Sequence, residues 1–175
     1  MSILAIPSTV PQWQQLAIYA VGIALLIMIR ALDRGVGEVV ATLKSQGLDD
    51  NTLVIFTNDN GGAWYAGLPT INKPYRGWKG TFFEGGIRVP MFVRWPGTIR
   101  AGQKISMPTM HVDVLPTLAA AAGAPLPRDR VVDGMNLLPP MTGKATPPAR
   151  RVFFWRSGTY EAIREIGRAS CRERV

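Results

Sequence analysis

The stretch Asn51 to Gly62, NTLVIFTNDNGG, limits the fold more than any other part of the chain. Leu53 to Phe56 form a short run of apolar, mostly β-favouring residues, which reads as a strand buried on both faces inside an α/β sheet. The run stops abruptly, and Asp59 and Asn60 sit where the strand leaves the sheet. Ligands of open α/β sheets collect at the carboxyl ends of strands, and a carboxylate beside a carboxamide offers two hard oxygens to a cation. Gly61 and Gly62 allow a sharp turn there. A plain tight turn accounts for the same residues, because Asp, Asn and Gly dominate turns for conformational reasons. On this stretch alone the turn reading leads.

Upstream, MIRALDRGVGEVVATLKSQG (28–47) places Ile29, Leu32, Val36, Val39, Val40 and Leu43 at spacings of three and four. That is one face of an amphipathic helix, with Gly47 as its stop. Gly35 and Gly37 weaken it locally and suggest close packing. Helix, polar turn and strand make an α/β unit. Downstream, AWYAGLPTINKPYRGWKGTFFEGG (63–86) is too rich in Gly, Pro and aromatics for regular structure, and loops of this length in a compact domain are usually functional. Val89–Trp95 reads as a second strand closed by Pro96-Gly97. Val112–Ala122 reads as a helix with Asp113 at its N-cap, Pro116 in the first turn and Gly123 at its end. Prolines punctuate Ala124–Pro148, and Val152–Trp155 reads as a last strand. No internal repeat appears, so one domain is the economical reading.

Composition narrows the function classes. The 175 residues carry a formal net charge of +8, with a pI near 10.3, but the basic residues are scattered and no nucleic-acid motif accompanies them. The reading is therefore no nucleic-acid partner. Cys171 is the single cysteine, which excludes an internal disulfide and a thiolate cluster. Leu16–Ile29, LAIYAVGIALLIMI, is apolar but shorter than the roughly twenty residues a membrane span needs. It also lacks the basic flank of a signal peptide, since Arg30 is the first Lys or Arg in the chain. A membrane anchor is the lesser reading.

Taken in order, ALDRGVGEVVATLKSQGLDDNTLVIFTNDNGG, NKPYRGWKGTFFEGGIRVPMFVRWPG, MHVDVLPTLAAAAGAPLP and DGMNLLP resemble the sulfatase family of the alkaline-phosphatase-like superfamily. The resemblance runs from about Met28 to about Glu161. It implies a partial alkaline-phosphatase-like α/β fold, with a mostly parallel sheet flanked by helices. It also implies that Asp59 and Asn60 are metal ligands for a divalent cation, Ca²⁺ by the chemistry of their oxygens. Lys79, in RGWKGT, corresponds to the family lysine that contacts the sulfate group of a sulfate ester substrate. Without the resemblance Lys79 is a solvated loop lysine, although Gly77 and Gly80 beside it permit close approach of a ligand. Glu84 and Arg88 read as a pair holding the Lys79 loop. His111, the only histidine, reads as a structural hydrogen-bonding residue, and Trp64 and Tyr65 read equally as cleft lining or as packing.

Sulfatases of this type carry a Cys or Ser in a C/S-x-P-S-R phrase that is oxidised to formylglycine, and this sequence contains no such phrase. The expected organisation is an apolar segment of unclear origin (1–27), a partial sulfatase catalytic domain (28–164) and a non-native tail (165–175). The tail, EIGRASCRERV, resembles the translation of a sequencing adapter. The functional expectation is a sulfatase fragment that retains part of the metal and sulfate-binding site. The alternatives are a phosphoester or phosphonate hydrolase of the same superfamily, and a non-catalytic membrane-associated protein.

Overall fold

A computed structural model describes residues 10–66, 70–148 and 151–165, and the chain divides into two compact units, Met1–Asp49 and Asp50–Val175. The expected tail lies outside the described residues from 166 onward, including Cys171.

Among its described residues the first unit holds one helix, α1, Gln12–Ser45. The apolar run and the amphipathic stretch are therefore one continuous element, rather than a separate segment followed by a helix starting at Met28. Pro11 precedes it, and Leu, Ala, Ile and Met fill the sequence between with no breaker stronger than glycine. Gly35 and Gly37 have nothing within 4 Å of where a Cβ would stand, so they do not mark close packing. Gly47 ends the helix at φ +67°, and Leu48 N–H donates to the Leu43 carbonyl at 2.9 Å. None of its residues is buried.

Among its described residues the second unit holds two small sheets. Strand β1, Val54–Thr57, pairs antiparallel with β2, Met91–Arg94, in a register that sets Val54 opposite Arg94 and Thr57 opposite Met91. Strands β3, Val152–Ser157, and β4, Tyr160–Glu165, form an antiparallel hairpin around Gly158 at φ +62°. The mostly parallel sheet expected from the sequence is not found among the described residues. Nor is β1 buried on both faces, since Val54–Thr57 are all partly exposed, and an apolar run carries no record of its neighbour's direction. Here the chain leaves β1, loops out and returns beside it as β2, which makes the pair antiparallel.

Between the sheets in sequence lie α2, Glu84–Ile87, α3, Val114–Ala121, and α4, Leu138–Met141. The buried apolar side chains among the described residues are Pro116, Leu137, Met141 and Phe153, joined by buried Asp113 and Thr117. Asp113 is not a side-chain cap of α3. Its Oδ2 accepts the Met110 N–H at 2.8 Å and its Oδ1 the Met135 N–H at 2.9 Å, while Arg151 donates to both oxygens. Thr117 Oγ1 donates to the Asp113 carbonyl at 2.7 Å and accepts the Leu137 N–H at 2.9 Å. This polar hub ties α3, the segment before α4, and β3 together. Burial alone would raise the Asp113 pKa, but Arg151 and the two backbone donors outweigh it and hold the carboxylate below its ordinary value.

Candidate active-site loop

The site residues stand on the chain between the end of β1 and the start of α2. After Thr57, Asn58 and Asp59 are exposed, and Asp59 makes no side-chain hydrogen bond or ion pair among the described residues. Asn60 donates its Nδ2 to the Gly61 carbonyl at 3.0 Å, and its amide oxygen remains available as an acceptor. Gly61 and Gly62 do not use positive φ. Gly61 is needed for close approach: its N–H donates to the Gly86 carbonyl at 2.9 Å, and a Cβ there would overlap the Gly85 carbonyl.

The loop carrying Lys79 is fastened to this strand exit by backbone and by one side chain. The Lys79 N–H donates to the Gly62 carbonyl at 3.2 Å. Asn72 spans the same place, accepting the Gly62 N–H at 2.8 Å and donating to the Gly62 and Gly77 carbonyls at 2.9 and 3.0 Å. Gly77 stands at φ +90°, and a Cβ on it would overlap Thr81 and Phe83. The loop thus has a defined path despite lacking repetitive structure. Lys79 itself is exposed, two residues after the Gly77 bend.

Glu84 and Arg88 form the expected pair, at 3.1 Å, and Arg164 joins from β4 at 2.6 Å to the other carboxylate oxygen. Desolvation would raise the Glu84 pKa, yet hydrogen bonds and charge from Arg88 and Arg164 bring it below the ordinary value. Arg88 also lies over the Tyr75 ring, 4.6 Å from its centroid, and Arg76 over Phe83 at 4.1 Å. His111 Nε2 is 2.8 Å from the Asn58 carbonyl, so the lone histidine tethers the strand exit, in keeping with a structural role. A separate cavity of about 560 Å³ is lined by Thr57, Met91, Met110, His111, Phe153 and Trp155 among others, and not by Asp59, Asn60 or Lys79.

Sequence reasoning missed Asn72 and Arg164. An asparagine inside a Gly- and Pro-rich loop was the available signal for the first. The second gave none, because β4 itself was unread.

The oxygen donors suit a hard divalent cation, but Asp59 and Asn60 would supply only two of the six or more ligands such an ion takes. Among the described residues no group of three or more His, Cys, Asp or Glu side chains gathers into a metal site.

A strand-end oxygen pair with a lysine-bearing loop tied beside it is an arrangement suited to binding an anionic ester. Residues 26–124, more than half of the chain, match the Sulfatase family model, and the chain belongs to that family of hydrolases. Over 124 residues it is 47% identical to steryl-sulfatase of Rattus norvegicus, covering 66% of this chain and 21% of that protein. The crystal structure of Ps i-CgsB in complex with k-i-k-neocarrahexaose superposes with a TM-score of 0.68 at 39% identity, over 78% of this chain and 31% of the other. BT4656, in complex with its substrate D-glucosamine-2-N,6-O-disulfate, gives a TM-score of 0.60 at 25% identity, over 78% and 28%. The chain therefore spans from about a fifth to under a third of the length of these relatives.

Proposed function

We propose that this chain is the part of a sulfuric ester hydrolase catalytic domain that presents Asp59 and Asn60 to a divalent cation and Lys79 to the sulfate group. The observation carrying this reading is the Lys79 N–H to Gly62 carbonyl bond, which fastens the lysine's loop two residues beyond Asn60. Relatives named for steryl sulfates and for a disulfated glucosamine support a sulfate ester as substrate.

Calcium is the cation proposed, since carboxylate and carboxamide oxygens are its natural ligands. When bound, it would draw charge from the ester's oxygens. Asp59 binds by its carboxylate, Asn60 orients its amide oxygen through the bond to Gly61, and Lys79 offsets the negative charge that gathers on sulfate oxygens as the ester bond breaks. The nucleophile phrase of the family is not in this sequence, so hydrolysis requires a group outside these 175 residues. Domain limits of 28–164 belong to the same proposal. Assay of the purified, calcium-supplemented chain on aryl sulfate and aryl phosphate should show no turnover. Metal-dependent hydrolysis well above that of a Lys79→Ala control would overturn the reading of a partial site.

One feature supports a membrane-associated reading beside it. Helix α1 is apolar and long enough to cross a bilayer by composition and length, with a mean hydropathy of 2.0 over its most apolar window. Carbonate extraction of the expressed chain tests it, because an embedded helix stays with the membrane pellet.

A further inference from the structure

Three aromatic rings gather on the loop that carries the candidate site, and none of the contacts described so far uses them. Trp64 lies 6.4 Å from Trp78 between ring centroids, with the planes 60° apart, and 6.2 Å from Tyr65, edge to face at 77°. Their exposures are 61% for Trp64, 67% for Tyr65 and 44% for Trp78. A soluble surface seldom keeps large apolar rings together in water without a use for them.

The cluster is fixed to the site at both ends. Trp64 follows the Gly62 that anchors Lys79 by only two residues, and Trp78 is the residue directly before Lys79. The backbone of Trp78 is held on both sides by one residue: Thr81 Oγ1 accepts the Trp78 N–H at 3.1 Å and donates to the Trp78 carbonyl at 2.8 Å. The Thr81 N–H donates to the same carbonyl at 2.9 Å. A ring whose backbone is already ordered gives up less entropy when it takes a ligand.

We propose that Trp64, Trp78 and Tyr65 form a binding platform for a ring with an apolar face, carried by the sulfate ester whose sulfate Lys79 holds. This rests on the sulfate-binding reading of Lys79 and adds the part of the substrate that reading leaves open. The planes of the two indoles are too steeply inclined to enclose a flat ring between them. The ligand ring therefore packs against one indole face and meets the second at its edge, a geometry aromatic side chains favour. An aryl ring and the hydrogen-bearing face of a pyranose share this chemistry.

Titration of the full chain with inorganic sulfate, phenyl sulfate and galactose 6-sulfate, followed by calorimetry and tryptophan fluorescence, tests the platform. At least one ring ester should bind about tenfold more tightly than inorganic sulfate. Trp64→Ala and Trp78→Ala should each remove most of that preference with the far-ultraviolet circular dichroism unchanged, while Trp78→Tyr, which keeps a ring, should retain it. The tighter of the two esters identifies the ring as aryl or pyranose. Lys79→Ala should weaken all three probes by one common factor. Equal affinity for the three, lowered by Lys79→Ala, overturns the platform and leaves the sulfate contact standing. A ring preference that survives unchanged in Lys79→Ala, without any common loss, upholds the platform and removes Lys79 from the sulfate. A ring preference untouched by both tryptophan variants, or no binding of any probe, overturns the proposal.

Discussion

Asp59 and Asp113 are both aspartates at the edge of a regular element, and the chain treats them in opposite ways. Asp113 is fully buried and gives its two oxygens to Met110, Met135 and Arg151. Asp59 is exposed and makes no side-chain bond among the described residues. A carboxylate committed on every side holds segments together, and a carboxylate left open at a strand end has capacity for a ligand. The difference lies in what the backbone delivers to each, because the residue type is the same.

Breaking the committed side of this contrast should have the largest effect. Arg151→Ala leaves the buried Asp113 charge without its counterion and should cost about 3–5 kcal/mol of unfolding free energy in urea titrations. A loss below about 1 kcal/mol would show that the hub does not hold the fold. Thr117→Val removes the acceptor of the Leu137 N–H and the donor to the Asp113 carbonyl, and should cost about 1–3 kcal/mol.

Acid provides a graded test. Because the folded pKa of Asp113 lies below its unfolded value, its contribution is complete above the ordinary carboxylate pKa and disappears as pH falls through the depressed one. Glu84 acts in the same direction. Stability measured between pH 6 and about pH 2 should therefore fall only in the acid part of that range, and the Arg151→Ala chain should lose less there than the parent. Asp59→Ala should change stability least, within about 0.5 kcal/mol, as an exposed substitution away from the hub. Calcium titration then sharpens the comparison, since that same variant should lose the cation response that Arg151→Ala, where folded, retains.

The sequence carried α1's amphipathic half, β1, β2, α3 and β3 clearly, because each has an apolar period bounded by Gly, Pro or a polar turn. It did not carry the direction of strand pairing, which depends on how the loop from Asn58 to Pro90 returns. Strand β4, YEAIRE, was illegible for a different reason: two of its six residues are glutamates and one is an arginine, so no strong apolar alternation marks it. At the site, Asp59, Asn60 and Lys79 stood out through phrases shared with a family. Asp113 was visible as important but was assigned to a helix end. Apart from Met110, its partners lie 22 and 38 residues away, beyond the reach of local pattern.

Asn72 gives the loop a chemical lifetime as well as a shape. Its amide nitrogen reaches two carbonyl oxygens, on Gly62 and Gly77, and that atom is the one lost when an asparagine side chain hydrolyses to aspartate. The product would set a negatively charged oxygen against both carbonyls where a donor had stood, turning a clasp into a repulsion. Ageing at this one amide would therefore remove the side-chain fastening of the Lys79 loop and leave the Lys79 N–H bond to the Gly62 carbonyl to hold it to the strand exit.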